Sequence, residues 1–254
     1  MEFTNKTAIA SGAASGMGLV FAKEWTSLGG NILMCDVDEK RLNECVEEIN
    51  SKGNGKAAGF ICDVRDYSQV ANACKAAYDT FGSIDIVCNF AGGTALRMQN
   101  ALGKYSEFPD VPIEIYDWGI DVNLKGQFYF CHAACKYMRE QKSGLIVNIG
   151  SITGMEGDGL GVDYPTAKSG AMFGLTKSVA QFGERYGIRC VCVSPGPVMT
   201  RPAMAKMRTM LGRAAEPEEI IDLILFLASD KGQFINGENI MIDGGRNALP
   251  RQGY

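Results

Sequence analysis

The chain has 254 residues, of which 46% are hydrophobic, enough to bury one sizeable core as a single α/β domain. A formal net charge of −4 and a pI near 5.2 leave no basic surface for nucleic acid. No window approaches the roughly eighteen uninterrupted apolar residues that a membrane span requires. The first residues, Met1 to Lys6, carry no apolar stretch followed by a small-residue cleavage site, so a cytoplasmic home is expected.

Nine cysteines agree with that expectation, because they are odd in number and scattered through apolar segments without the spacing of a disulfide framework. Cys131 and Cys135 flank His132, and Cys190 and Cys192 share one strand face, but no C-x-x-C occurs. These cysteines read as core residues, and no metal site is expected.

In chain order, Thr7–Ser11 is a short apolar strand that runs into Gly12-Ala-Ala-Ser-Gly16-Met-Gly18 and a helix with Ala22, Trp25 and Leu28 on one stripe. Glycines let the backbone turn tightly and let a pyrophosphate approach the amides at a helix N-terminus. A second strand, Asn31–Cys35, ends at Asp36. An acid at that strand end is placed to accept hydrogen bonds from the adenosine ribose of NAD and to repel a 2'-phosphate. No Arg or Lys lies in the glycine turn, which also argues for NAD over NADP, and Asp38 is the better cap for the following helix.

Leu42, Cys45, Val46 and Ile49 mark that helix, Ala57–Ile61 a third strand before Asp63-Val64, and Val70, Cys74, Ala77 and Phe81 the next helix. Strand four, Ile84–Cys88, precedes Asn89-Phe90-Ala91-Gly92. Strands alternating with helices predict a parallel, doubly wound sheet with helices on both faces. The segment from Gly93 to Asp117, with two prolines, reads as a long loop that serves as a lid. A helix is expected from about Ile113 to Gln141, with Asn123 in its middle, where asparagine usually needs a reason.

Strand five, Leu145–Ile149, puts Ser151 at a strand's carboxyl end, where parallel sheets bind ligands. Thirteen residues on, Tyr164 and Lys168 stand four apart on a predicted helix, so both leave the same face. A phenol titrates near pH 10, and a cation beside it favours the phenolate, so Lys168 is expected to lower the pKa of Tyr164. Strand six, Arg189–Val193, leads into Ser194-Pro195-Gly196-Pro197-Val198-Met199-Thr200. An apolar helix opens at Glu216, and Asn239–Ile242 is a seventh strand.

These motifs and their order resemble the short-chain dehydrogenase/reductase family of about 250 residues, over almost the whole chain. The resemblance implies a seven-stranded Rossmann sheet of order 3-2-1-4-5-6-7, with substrate loops at 93–117 and 197–215 of one 1–254 domain. It implies that Gly12, Ser15, Gly16, Met17, Gly18, Asp36, Asp63, Val64, Asn89, Ala91, Gly92, Pro195, Gly196, Val198 and Thr200 contact the cofactor, with Tyr164 and Lys168 on its ribose side. The catalytic set implied is Asn123, Ser151, Tyr164 and Lys168: Tyr164 as acid/base for a secondary alcohol or ketone, Ser151 on the reacting oxygen, and Asn123 holding a water that links Lys168 to solvent. A homotetramer, or a homodimer, is the implied assembly. Ser11 stands where the family often has Thr, and Phe90 where it often has a second Asn.

Rival readings are an epimerase or dehydratase, for which the chain is short, and a non-catalytic cofactor sensor, which would not need Ser151, Tyr164 and Lys168 together. A serine hydrolase is excluded by the absence of a G-x-S-x-G elbow, with His132 the only histidine. Arg97, Lys104, Tyr105, Phe108 and Arg201 suggest a polyol or hydroxy acid as substrate, although solvated loop charges are the commoner origin of such residues. Met155, Leu160, Met199 and Met204 would instead form an adaptable wall for an alicyclic alcohol or hydroxysteroid. A 3-oxoacyl thioester reductase is less favoured by Asp36. Gly119, Gly126, Gly170 and Gly174 are expected to let helices of partner subunits approach, with the tail from Arg246 to Tyr254 reaching a neighbour.

Overall fold

A computed structural model describes residues 2–52, 54–94 and 107–249. Seven strands form one all-parallel sheet: β1 (Thr7–Ser11), β2 (Asn31–Asp36), β3 (Ala57–Ile61), β4 (Ile86–Asn89), β5 (Gly144–Ile149), β6 (Ile188–Pro195) and β7 (Asn239–Ile242), in the order 3-2-1-4-5-6-7. The expected topology is therefore observed. Strand four starts and ends a little later than its apolar run suggested, and strand six continues through Pro195.

The strands' two-residue periodicity sorts their side chains between two cores. On one face Ala8, Ala10, Ile32, Met34, Val147 and Val191 pack under α1 (Gly16–Ser27) and α2 (Glu39–Asn50). On the other, Ile9, Leu33, Val87, Ile146 and Cys190 pack under α3 (Tyr67–Phe81) and the long helix of β4's crossover. Each fully buried aliphatic side chain contributes about 1.5–3 kcal/mol. The four central strands are thereby a rigid floor for whatever sits on their carboxyl ends.

Caps fix where the helices begin. Asp38 accepts from Arg41 N at 3.0 Å at the start of α2, as expected, and Asp66 accepts from Ser68 N at 2.7 Å at the start of α3. The crossover from β4 to β5 is α4 (Ile113–Ile120), a five-residue π-segment (Asp121–Lys125) and α5 (Gly126–Gln141), continuous over the length that the sequence predicted. After β5 come a short helix that the sequence reading did not foresee, α6 (Thr153–Glu156), then α7 (Asp163–Gly170), a second π-segment (Ala171–Leu175) and α8 (Thr176–Gly183). The last helix, α9 (Pro217–Ala228), opens with a capping box between Glu216 and Glu219 and packs on the α1 side. No helix among the described residues is long and apolar enough to cross a membrane.

Strand register puts Ser11, Asn89 and Asn148 on one row across β1, β4 and β5, near the carboxyl ends. They are buried and polar, and their bonds follow the row upward. Asn89 Nδ2 donates to Asn148 Oδ1 at 2.9 Å, Asn148 Nδ2 donates to Thr176 Oγ1 at 3.0 Å, and Ser11 Oγ accepts from Ala91 N at 3.1 Å. The chain leaving β4 is thus tied to the chain leaving β1, directly below the glycine turn.

Candidate active site

The turn after β1 is built for close approach. Gly12 has φ 65° and Gly16 φ 53°, and a Cβ on Gly12 would lie 2.9 Å from the backbone of Ala91. A Cβ on Gly18 would strike the carbonyl of Gly12, so the first turn of α1 folds tightly back over the end of β1. Ser15 is the N-cap and makes no side-chain capping bond, leaving its hydroxyl and the first amides of α1 facing outward. Thr200 faces this turn across the cleft, its methyl 3.7 Å from where a Gly16 Cβ would stand.

Asp36 reaches into the same turn. Its Oδ2 accepts from Ala14 N at 3.0 Å, while Oδ1 accepts from Val37 N at 2.8 Å and Asp38 N at 3.1 Å. At the end of β3, Asp63 is forked by Arg65, whose Nη2 donates at 2.6 Å and holds that carboxyl below the usual carboxylate range. Val64 packs against Gly126 of α5, and Phe90 turns its ring onto Phe21 of α1 at 5.5 Å between centroids. Phe90 is therefore a packing residue in this chain. Pro195 accepts from Ile152 N at 2.9 Å, and Gly196 donates to Ile242 O at 3.0 Å, so the β6 end and the Ser151 segment form one wall.

Tyr164 and Lys168 share a face of α7, with the Lys168 ammonium 5.6 Å from the centroid of the Tyr164 ring. Lys168 is only 2% exposed, and its Nζ donates to Ile149 O at 2.8 Å. Burial holds its pKa down to about 8. Ser151 Oγ accepts from Thr153 N at 3.2 Å, which orients the hydroxyl at the end of β5.

One expectation about this pair needs correction. Lys168 was expected to acidify Tyr164, yet in the protein alone the phenol's pKa is raised, because burial outweighs the Ser151 hydroxyl and the Arg201 charge that pull it down. The ammonium lies 5.6 Å from the ring centroid and is anchored to the Ile149 carbonyl.

Asn123 is fully buried in the first π-segment, a local widening that often marks functional sites. Its carboxamide is spent on backbone. Oδ1 accepts from Gly93 N at 2.9 Å, and Nδ2 donates to Gly93 O at 2.9 Å and Gly119 O at 3.0 Å. This supplies the reason for a mid-helix asparagine. Gly92 completes the cradle, since a Cβ there would sit 2.7 Å from Asn123 Oδ1 and 3.3 Å from Lys168 Nζ.

Comparison with known proteins agrees with this geometry. Residues 12–247 match the family profile described as enoyl-(acyl carrier protein) reductase. The chain belongs to the short-chain dehydrogenase/reductase family. The trans-4-hydroxycyclohexanecarboxylate dehydrogenase of Sinomonas cyclohexanicum is 36% identical over 252 residues, covering 96% of this chain and 93% of its own. Among solved structures, levodione reductase superposes with a TM-score of 0.87 at 28% identity, covering 98% of this chain and all of its own. A 3-oxoacyl-[acyl-carrier protein] reductase from Brucella melitensis with bound NAD gives 0.85 at 28% identity, covering 96% and 92%. This short-chain dehydrogenase/reductase is accordingly an NAD(P)-binding oxidoreductase that interconverts alcohols and ketones.

The residues present fit such a cofactor. In the glycine turn a Cβ on Gly16 would point into the cleft toward Thr200, Asn89 Oδ1 is buried without a partner among the described residues, and the Asp36 carboxylate holds Ala14 N of that turn. Of the substrate candidates, Met155 and Leu160 are exposed on and after α6, and Met199 is paired by its backbone to Ala215. Met204 lies in a short 3-10 segment, Pro202–Lys206, and the exposed Arg201 immediately precedes it. Phe108 is exposed; Arg97, Lys104 and Tyr105 lie outside the described residues.

Three of the four glycines expected at subunit contacts have partners within the enzyme: Gly119 faces Asp163, Gly126 faces Val64, and Gly170 faces Leu124, while Gly174 faces open space. Arg246 likewise turns inward, forking Glu156 through Nε at 2.9 Å and Nη2 at 2.9 Å and joining α6 to the segment after β7. Residues 250–254 of the tail lie outside the described residues.

Two buried groups of the site escaped the sequence reading, Gln127 and Asp163. Gln127 could have been found as a polar residue one turn after Asn123 on a buried stripe. Asp163 is 5% exposed, its Oδ2 has no partner among the described residues, and burial pushes its carboxyl up. The native state then holds that proton to higher pH than the unfolded chain, so the group lowers stability as pH rises from the ordinary aspartate range toward neutrality. Asp163→Asn should gain about 1 kcal/mol near neutral pH, read as a melting temperature roughly 2–4 °C higher, with no gain in acid where both states are protonated. Thermal melts of the two proteins at both pH values check this.

Proposed function

We propose that this enzyme is an NAD-dependent dehydrogenase of a cyclic secondary alcohol that carries a carboxylate, working on one 1–254 domain whose loops at 93–117 and 197–215 select the substrate. The observation that carries the reading is the Tyr164–Lys168 face, 5.6 Å from ammonium to ring, beside Ser151 at the end of β5. Bound NAD supplies the hydride acceptor. Ser151 donates a hydrogen bond to the reacting oxygen and orients it, and Tyr164 exchanges that oxygen's proton. Half-buried and uncharged at rest, Tyr164 stands ready to give its proton to a ketone. In the oxidative direction it must take a proton as phenolate, the form that the Ser151 hydrogen bond and the Arg201 charge favour. Lys168 also donates to the nicotinamide ribose, and Asn123 holds the Gly93 backbone that floors the site.

Gly12, Ser15, Gly16, Met17 and Gly18 would take the pyrophosphate, with Asp63 and Val64 by the adenine. Asn89, Ala91, Gly92, Pro195, Gly196, Val198 and Thr200 would line the nicotinamide half. NAD over NADP is supported by Asp36, whose Oδ2 accepts from Ala14 N of the glycine turn while Oδ1 is held by the Val37 and Asp38 amides, placing a fixed negative charge at the end of β2 that would repel a 2'-phosphate. Asp36→Asn should raise the KM for NAD about 10- to 100-fold through loss of charge-assisted hydrogen bonds and narrow the preference over NADP. Initial rates with both cofactors measure this, and an unchanged preference would overturn the assignment.

The substrate class is supported by the exposed apolar Met155 and Leu160, by the Arg201 cation whose charge acts on Tyr164, and by the named activity of the 36% identical relative. A 3-oxoacyl thioester is the second reading, supported by the Brucella structure's name. Rates of reduced-nicotinamide formation across cyclic hydroxy acids, polyols, hydroxysteroids and 3-hydroxyacyl thioesters discriminate among them. Nine free, buried cysteines support a reducing, cytoplasmic setting, and exposed Phe128, Phe173 and Phe182 support a homotetramer.

A further inference from the structure

Behind the Lys168 ammonium lies a hydrogen-bonded knot that neither the glycine turn nor the Tyr164 face includes. Gln127, on α5, is 2% exposed and reaches two separate elements. Its Nε2 donates to Asn123 O at 2.6 Å and to Ile149 O at 3.2 Å, and its Oε1 accepts from Ile149 N at 3.0 Å. The Ile149 carbonyl is also the acceptor for Lys168 Nζ, at 2.8 Å. Only one orientation of the carboxamide satisfies two carbonyls and one amide, so the side chain's direction is fixed by its partners.

We propose that Gln127 is a positioning residue for Lys168, holding the Ile149 carbonyl at the height where it anchors the ammonium and locking that carbonyl to the Asn123 π-segment.

The physical case is one of degrees of freedom. Lys168 has a long, flexible stem and reaches its place through one acceptor among the described residues. That acceptor sits at the last residue of β5, where sheet pairing ends and the chain turns toward Ser151. By bonding both backbone groups of Ile149, Gln127 extends the restraint of the sheet by one residue. Its bond to Asn123 O ties the same point to the helix that holds Gly93. Displacement of Ile149 would shift Lys168 and Ser151 together, and misplacement of about 1 Å at a reacting geometry costs up to about a hundredfold in rate. The titratable groups facing Lys168 are Tyr164, from its own helix, and Cys192, from β6; α5 faces it with the uncharged Gln127.

The test uses Gln127→Leu, which removes all three bonds, and the near-isosteric Gln127→Glu, which keeps the acceptor and loses the donors whenever it is ionised. The activity arm rests on the role given to Lys168 above, so a second arm is independent of turnover. The Nζ resonance of Lys168 is titrated by nitrogen-15 NMR in the cofactor-free enzyme and assigned by its disappearance in Lys168→Met. A carboxylate across the shared carbonyl should move the Lys168 midpoint of Gln127→Glu upward by about one pH unit. The pH profile of kcat should move with it. Gln127→Leu should lose about tenfold in kcat with the KM for NAD within about threefold.

If both variants melt at lower temperature but their Lys168 titrations and kcat profiles overlay those of the unmutated enzyme, Gln127 merely satisfies backbone and the proposal is wrong. If Gln127→Leu does not fold, Gln127→Glu alone decides. An unmutated enzyme that reduced no NAD would defeat the functional reading while leaving the NMR arm able to support or overturn this one.

Discussion

Replacing Tyr164 by phenylalanine is expected to lower kcat by about two to four orders of magnitude while NADH binds within about threefold of its normal affinity. The substitution deletes one oxygen and keeps the ring that packs under the Lys168 ammonium, so the wall of the site stays in place. What disappears is the only phenol on the α7 face that Lys168 shares. Ser151 remains to orient the reacting oxygen, but an aliphatic hydroxyl is far too weak an acid to replace it. Steady-state rates together with a fluorescence titration of NADH separate the two quantities. Loss of binding in step with turnover would mean that Tyr164 builds the cofactor site and does not move the proton.

The second large effect concerns Lys168 and runs in opposite directions for activity and stability. Its folded pKa of about 8 lies below the ordinary 10.5, so between those values the unfolded chain binds more protons than the native one. Stability of the cofactor-free enzyme therefore rises with pH through that window, and below it the full cost of burying an ammonium is present. A difference of this size corresponds to roughly 3 kcal/mol, less the hydrogen bond to Ile149. Lys168→Met should thus melt several degrees higher than the unmutated enzyme near neutrality, with the advantage shrinking toward pH 10. Its turnover should fall by about a thousandfold. Melts at three pH values and steady-state rates test both halves; a variant less stable at every pH would show that the lysine's bond outweighs its desolvation.

The fold was readable in the chain because its information is local. Apolar runs of strand length alternate with helical stripes, and each glycine turn or acidic cap falls at a junction, as with Asp38 at α2. The Tyr164–Lys168 face was equally readable, since helical spacing alone brings the two together. What could not be read were quantities set by elements distant in sequence. Burial of the Tyr164 phenol by surrounding segments reverses the direction in which its pKa moves. The Glu156–Arg246 fork joins positions ninety residues apart. Gly119, Gly126 and Gly170 look like open notches for another subunit until Asp163, Val64 and Leu124 of the same chain are seen to fill them.

The carboxamide of Asn123 grips Gly93 by both its amide and its carbonyl. Everything up to Gly93 is therefore pinned to the long crossover helix, and the chain beyond it leaves from a fixed root. Changes in the segment past that root are expected to leave in place the Gly93 anchor and the close approach of Gly12 to Ala91. If that segment selects the substrate, as proposed, the enzyme's appetite can drift in evolution, or be grafted in the laboratory, without loosening that root.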